Sequence, residues 1–428
     1  MLDIRIIRDR TEEVRAGLAR VAADLGKLDE VLEVDGECRR VQGERDALSA
    51  EVNTQSKQIG AERDPARRQA LIAAIAGHKD KITALTERLR EAEQKRDTIM
   101  LELPNLPHPS VPDGKDESEN RVLRTVGEIR PLEFAAQPHW DLATKLGIID
   151  FERGVKISGS RFYVLVGDGA RLQRALISFM LDLHTRKHGH LEVYPPYMVR
   201  RECLVGTAQL PKFGQNLYRD AEEDFWFVPT AEVPVTNLYR EEILPGERLP
   251  IQHVAYTACF RREQMAAGRD TRGIKRGHQF DKVEIVKFVR EETSMQALDQ
   301  LLAEAGEVLE LLEIPYRVIQ MCAGDLSFSA MAKYDLEAWA PGCDEWLEVS
   351  SCSNFGDFQA RRAGIRYRDG KDKPRHPHTL NGSGLALPRT VIAVLENYQQ
   401  KDGTVVVPRA LRPYMGGQES IVPARGLG

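Results

Sequence analysis

Between residues 27 and 103 the apolar positions return at alternating steps of three and four. The first series is Val31, Val34, Cys38, Val41, Leu48, Val52 and Ile59, with Arg45 and Gln55 in the skipped places. The second is Leu71, Ile75, His78, Ile82, Leu85, Leu89, Ala92, Arg96, Ile99 and Leu103. A heptad seam sustained over about four repeats predicts two long helices paired along a narrow apolar stripe. Asp64-Pro65 separates the series. Asp is a good N-cap, and Pro at the first helical position loses no needed donor. The chain therefore goes out along one helix, turns near residues 60–65 and returns antiparallel, the second helix being roughly 57 Å long. His78 and Arg96 read as register-setting or snorkelling residues within the seam.

The pattern changes after LPNLPHPSVPDG, whose prolines forbid further helix. The polar KDESENR stretch reads as linker, which sets domains at 1–112, 113–135 (linker) and 136–428. Beyond residue 136, Leu172–His190 and Ser294–Leu312 have helical spacing. LEVYPPYMV, WFVPTAEVPVT, IQHVAYTACFRRE, HQFDKVEIVKFV and WLEVSSCSNFG read as strands, and GLALPRTVIAVLENYQ opens on glycine and becomes a helix. Hairpin-like strands with a few long helices predict an α+β fold, a largely antiparallel sheet flanked by helices. No GxGxxG or GxxxxGK[ST] is present, which excludes the usual dinucleotide and P-loop cradles.

Composition narrows the class. With 42% hydrophobic and 29% charged residues among 428, the chain has material for a real core. No apolar run is long enough to span a bilayer, and the start MLDIRIIRDRTEEV is neither a secretory signal nor a transit peptide. Six scattered cysteines with no CxxC pair favour a reducing, cytoplasmic setting, and the closest pair, Cys343 and Cys352, is a weak metal candidate. The net charge of −5 argues against indiscriminate nucleic-acid binding but leaves room for local basic patches. One lies at the hairpin tip, where Lys57, Arg63, Arg67, Arg68, Lys79 and Lys81 outnumber Glu62, Asp64 and Asp80. A hairpin this long buries little beyond its seam, so it is expected to project and touch a partner.

A second basic stretch, CFRREQMAAGRDTRGIKRGHQFDKVEI, joins two strand-like segments. Alternation puts Arg261 and Glu263 on one face, with Arg262 pointing away, and Phe280, Lys282 and Glu284 together on the returning strand. An Arg beside a Glu offers a phosphate fork and a hydrogen-bond acceptor, and Phe280 a surface for a flat ring. Glu232 follows Thr230 and Ala231 in TAE. Glu348 begins EVSS, with Val349, Ser350 and Ser351, where carboxylate and hydroxyl oxygens suit Mg²⁺. Arg389 opens the helix after GSGLALP, where free N–H groups favour anions. Taken singly, Arg-x-Glu is most often a surface pair, His278 a structural histidine and Phe280 core. Taken in order, the set describes a site for ATP and a small amine.

That order also resembles the bacterial type of seryl-tRNA synthetase, a class II aminoacyl-tRNA synthetase. FVPTAEVPVTNL, the CFRRE to KVEI stretch, LEVSSCSNFGDFQARR and TLNGSGLALPRTVIAVLENYQ carry the resemblance, with the class's first motif in RKHGHLEVYPPYMV, its prolines at Pro195-Pro196. It implies a serine–tRNA ligase using ATP and Mg²⁺. Arg261 would grip the α-phosphate and the serine carboxylate. Glu263 would accept from the adenine amino group, and Phe280 and Arg389 would sandwich the base. Arg262, His278, Val349 and Ser350 would complete the ATP site. Glu348 and Ser351 would hold the metal. Thr230, Ala231 and Glu232 would clamp the serine ammonium, and Glu284 with Ser383 would read its hydroxyl. The resemblance further implies a homodimer. The coiled-coil arm, through Lys57, Arg63, Arg67, Arg68 and Lys79, would grasp tRNA(Ser), and tRNA(Sec) where present. The Gln264–Arg276 loop would face the acceptor stem. Ala208, where the family has Gly, and Arg262, where a small residue is common, depart from the pattern. Two rivals remain: an adenylating paralogue that charges a carrier protein, which would be expected to lack the arm, and a non-catalytic coiled-coil protein, which leaves the Arg261, Glu263, Glu348 and Arg389 set without a purpose.

Overall fold

The computed structural model describes residues 1–264, 272–424 and 426–427, and the chain divides into two compact units, Met1–Pro104 and Asn105–Gly428. The first unit is helical: α1 (Ile4–Asp9), α2 (Thr11–Arg20), α3 (Leu25–Ala61) and α4 (Pro65–Met100). Asp64 caps α4 as predicted, its side chain accepting from the Ala66 amide at 2.9 Å. At 36 residues, α4 is roughly 54 Å long. Every predicted seam position on α3 and α4 is buried or half-buried, Arg45, Gln55, His78 and Arg96 included. Polar pairs tie the helices together: Arg88 to Glu37 at 2.7 Å, and Arg96 to the buried Asp35 at 3.5 Å. The tip residues Lys57, Arg63, Arg67, Arg68 and Lys79 are exposed.

The second unit is built on an eight-stranded sheet. Its strands are β1 (Arg121–Val126), β2 (Leu191–Glu192), β3 (Ile251–Phe260), β4 (Gln279–Val289), β5 (Tyr316–Gln320), β6 (Ala332–Ala340), β7 (Glu345–Asn354) and β8 (His378–Ala386). They lie in the order β1-β5-β6-β7-β8-β4-β3-β2. Every pairing is antiparallel except β2 with β3, which is parallel. The helices needed below are α5 (His139–Leu146), α6 (Asp168–Arg186), α7 (Ser294–Leu311) and α8 (Leu387–Tyr398). α7 packs on β7 and β8, α6 on β3 and β4, and α8 across β4, β6 and β7. The α+β prediction thus holds.

Three local readings differ. The stretch LEVYPPYMV is not one strand: Leu191–Glu192 and Met198–Arg200 belong to different sheets, and the residues around Pro195-Pro196, prolines that lack the N–H donors a ladder needs, lie between them. The stretch WFVPTAEVPVT is a strand only over Phe225–Phe227, and Glu232–Thr236 is helical. Thr230 Oγ1 accepts from the Glu232 amide at 3.3 Å, so the side chain turns the backbone out of the extended state that apolar alternation suggested. Residues 113–135, read as linker, contain β1, which adds an edge strand beside β5. Its side chains are mostly exposed, so it gives no apolar alternation to read. No described helix is long and apolar enough to cross a membrane.

Candidate active site

The sheet presents polar side chains on one face because residues two apart on a strand share it. Pairing in register sets Ser383 of β8 opposite Glu284 of β4. It also sets Ser353 of β7 opposite Asn381 of β8, and Asp335 of β6 opposite Ser351 of β7. A bulge between Ser383 and Leu385 breaks the ladder beside Glu284, a device that redirects side chains. Two adjoining hollows open there. The first is lined by Arg261, Glu263, Phe280, Glu348, Ser351 and Arg389, with Val349, Ser350 and Ser383. The second shares Arg261, Glu348, Ser351 and Ser383, and adds Thr230, Glu232 and Asn381. Residues up to about 160 positions apart in the chain therefore converge on one place.

In the first hollow the Arg261 guanidinium lies 5.1 Å from the Phe280 ring centroid and donates through Nε to the Pro229 carbonyl at 3.2 Å. A cation over an aromatic face is modestly attractive and readily exchanged for a flat ligand. Glu263 adopts a φ of +51°, a left-handed conformation uncommon for a residue with a side chain, and takes an Arg276 contact at 3.5 Å. Arg389 donates to the Glu348 carbonyl at 2.6 Å and lies 3.5 Å from its carboxylate. Glu348 is open to solvent yet recessed in the cleft. The surrounding protein raises its pKa, but the positive charges of Arg389, Lys333, Arg261 and Arg276 outweigh this and hold it below the usual range.

Beside it, Asp335 is 6% exposed and one of its carboxylate oxygens has no hydrogen-bond partner. Burial pushes Asp335 up to about 7, against the pull of Lys333 at 3.2 Å. Glu348, Ser351 and this orphaned oxygen form an all-oxygen donor set, which fits a hard cation such as Mg²⁺.

The second hollow is floored by two buried carboxylates joined through one amide. Asn381 Nδ2 donates to Glu232 at 2.9 Å and to Glu284 at 2.7 Å. Gln359 donates to the other oxygen of Glu232 at 2.6 Å. Ser383 reaches Glu284 at 3.4 Å and Lys282 pairs with it at 2.5 Å. Burial, followed by the nearby Glu284 charge, pushes Glu232 up to about 7. Thr230 and Glu232 face the hollow, whereas Ala231 is buried in the core. Glu284 is fully buried and acts on the hollow only through Asn381, Ser383 and Lys282.

Besides Ala231, two predicted residues lie elsewhere. Arg262 stacks over Tyr218 at 5.2 Å and lines a separate surface hollow with Asn216 and Trp226. His278 is absent from the lining of both hollows. Its Nδ1 bonds the Arg261 carbonyl at 3.0 Å, and its own carbonyl accepts from the Arg261 amide at 2.9 Å. It braces the strand end that carries Arg261. Ala208 has a φ of +65°, the backbone state that favours the glycine expected there. Of the Gln264–Arg276 loop, residues 265–271 lie outside the described residues. Its return is pinned where Ile274 donates to His139 Nε2 at 3.2 Å. His139 Nδ1 in turn donates to Glu396 at 2.9 Å.

Lys333, Asp335, Gln359 and Asn381 were not singled out from the sequence, and Lys282 was placed on the Glu284 face without a role. The available signal was polar residues two apart in otherwise apolar strands: Lys282 with Glu284, Lys333 with Asp335, and Asn381 with Ser383.

Comparison with known proteins fixes the class first. Residues 213–398 match the model of the tRNA synthetase class II core domain (G, H, P, S and T), so this unit carries the core of a class II aminoacyl-tRNA synthetase. Residues 1–107 match the seryl-tRNA synthetase N-terminal domain. The chain is 59% identical over 98% of its length to the serine–tRNA ligase of Thermomicrobium roseum, covering 95% of that protein. It is 56% identical over 99% of its length to that of Chloroflexus aurantiacus, covering all of it. Its structure superposes on a seryl-tRNA synthetase from Pyrococcus horikoshii, complexed with ATP, with a TM-score of 0.93 at 40% identity over 99% of this chain and 100% of that one. The cytoplasmic serine–tRNA ligase of Naegleria fowleri, in complex with AMP, gives 0.89 at 32% identity over 99% of both chains. The chain belongs to the seryl-tRNA synthetase family.

Proposed function

We propose that this protein activates L-serine with ATP and transfers the seryl group to the 3′ end of tRNA(Ser), and of tRNA(Sec) where present. The observation that carries the reading is the Glu232–Asn381–Glu284 bridge next to Arg261. It sets a carboxylate, an amide and a hydroxyl at a recess beside a cationic, aromatic one, the complement of an ammonium and hydroxyl joined to a phosphate ester. Arg261 holds the serine carboxylate against the α-phosphate. The carboxylate oxygen attacks phosphorus in line, and pyrophosphate leaves over Arg389. The terminal ribose hydroxyl of the tRNA then takes the seryl group from the adenylate. No side chain acts as nucleophile, so the rate comes from positioning and charge neutralisation. Mg²⁺, held by Glu348 and Ser351 with Asp335 behind them, would neutralise phosphate charge. Glu263 accepts from the adenine amino group, and Phe280 and Arg389 stack on the base. Thr230 and Glu232 receive the ammonium, and Ser383, backed by Glu284, receives the hydroxyl.

Alanine lacks the hydroxyl and would leave this buried network unpaired, a form of discrimination worth about 10⁴-fold. The exposed cations of the hairpin tip suit the tRNA backbone, whose binding is mainly electrostatic. A homodimer, in which the hairpin of one subunit holds a tRNA whose end enters the partner's site, completes the reading. ATP–pyrophosphate exchange measured across the amino acids tests it. Exchange with serine well above alanine and threonine, together with charging of tRNA(Ser), is the expected result. Exchange with another amino acid, or none, overturns it.

A further inference from the structure

Two clusters of metal-type ligands occur among the described residues: His139, Cys343 and Glu396, and His184, His188 and His190. The first is satisfied. Glu396 accepts from the His139 amide and Nδ1, from the Cys343 thiol, and from the amides of Gly342 and Cys343. His139 Nε2 accepts from Ile274. Both ring nitrogens of His139 and both oxygens of Glu396 are thus already engaged.

The histidine cluster is different. It lies where α6 ends, in HTRKHGH. The His190 amide bonds the His184 carbonyl at 3.0 Å, and Gly189, with a φ of +74°, makes the turn that brings the rings together. Each ring spends one nitrogen on an acceptor outside the cluster. His184 Nε2 donates to the Gly384 carbonyl at 3.2 Å, His188 Nε2 to Glu307 at 2.9 Å and His190 Nε2 to Glu304 at 3.0 Å. With Nε2 directed at these acceptors in all three, the nitrogen left on each ring is Nδ1. The Nδ1 atoms of His184 and His188 are 2.9 Å apart. His190 Nδ1 is buried without any partner, on a residue only 3% exposed. One ring nitrogen from each of the three lies within 4.8 Å of the others. Ring nitrogens this close need a proton or a metal cation between them, and the proton that could join His184 to His188 leaves His190 Nδ1 unmatched. Histidines oriented from behind by carboxylates and a carbonyl are the usual support of a bound transition metal.

We propose that His184, His188 and His190 bind a borderline divalent metal, Zn²⁺ foremost, through their Nδ1 atoms, with water as the fourth ligand. Neutral imidazoles favour Zn²⁺ over Mg²⁺ or Ca²⁺. The ion would staple the end of α6 to β8 at Gly384, one residue beyond Ser383, and to α7 through Glu304 and Glu307. It does no chemistry on the substrate.

The test uses the full-length protein, stripped of metal with a chelator and then titrated with Co²⁺ and Zn²⁺. One equivalent of Co²⁺ is expected to give the visible bands of a tetrahedral nitrogen site. Zn²⁺ should displace it and raise the melting temperature. His188→Gln, at the most exposed of the three rings, should abolish the bands while gel filtration and circular dichroism stay unchanged. Glu348→Gln should leave them in place. Wild-type protein with neither bands nor a thermal shift overturns the proposal and leaves a shared proton between His184 and His188. Bands that persist in His188→Gln overturn it too, because the metal then sits elsewhere.

Discussion

The hairpin of α3 and α4 and the sheet that carries the two hollows keep polar groups in opposite ways. The hairpin buries a narrow strip and, Asp35 with its Arg96 apart, leaves its charges mostly in water, where pairs such as Arg88 with Glu37 contribute little and tolerate change. The sheet takes Glu232, Glu284, Lys282, Asn381 and Gln359 out of water together and makes each depend on the others. A charge at the hairpin tip is therefore replaceable one at a time, whereas a charge in the sheet is not.

The largest effect is expected from Arg261→Ala. Loss of the guanidinium that faces both hollows should cut serine-dependent pyrophosphate exchange by about 10²–10³-fold, and a value within threefold of wild type would break the contrast. Glu284→Gln comes next. It keeps the shape but leaves the Lys282 ammonium without its counter-charge in a buried site. Exchange should fall by about 10²-fold and the melting temperature should drop, since breaking a buried pair is costly. Calorimetry alongside the exchange assay separates the two losses.

Replacing Arg63, Arg67 and Arg68 together by Ala should raise the KM for tRNA by about tenfold, flatten its salt dependence and leave exchange untouched. If exchange falls as well, the two regions are not functionally separate.

The smallest effect concerns pH. Glu232 titrates near 7 in the folded protein, above its ordinary value, because burial disfavours its charge. An unfolded chain loses that proton earlier. Between its unfolded value and about 7 the folded state holds the extra proton, so this group's contribution to stability falls as pH rises. Serine binding runs the other way, because an ammonium prefers the ionised form. The KM for serine should drop by about threefold between roughly pH 6.5 and 7.5, and Glu232→Gln should remove that slope.

The same contrast explains what could be read in the sequence. A seam repeats every few residues, so Val31 to Leu103 gave the hairpin, its turn at Asp64 and the exposed tip without any knowledge of the rest. Arg261, Glu263, Phe280, Glu348 and Arg389 were legible because they sit in long, ordered motifs. Asn381, Gln359 and Asp335 were not, because their roles depend on which strands pair and in what register. A bulge at Ser383 or Leu336 shifts that register without a local mark. The helical turn at Glu232 was hidden for a related reason: a threonine hydroxyl, acting two residues away, overrode apolar alternation.

The single amide of Asn381 has a practical consequence. Of the two acids it joins, Glu284 already has Lys282, so Glu232 is the one left to meet an incoming cation. Inhibitors built on the reaction intermediate should therefore lose most of their grip when the amine is acylated or deleted, however well the nucleoside half fits. Aspartate at that position would set a third carboxylate beside Glu232 and Glu284 against the single Lys282 ammonium, so resistance by that route would disable the protein that gained it.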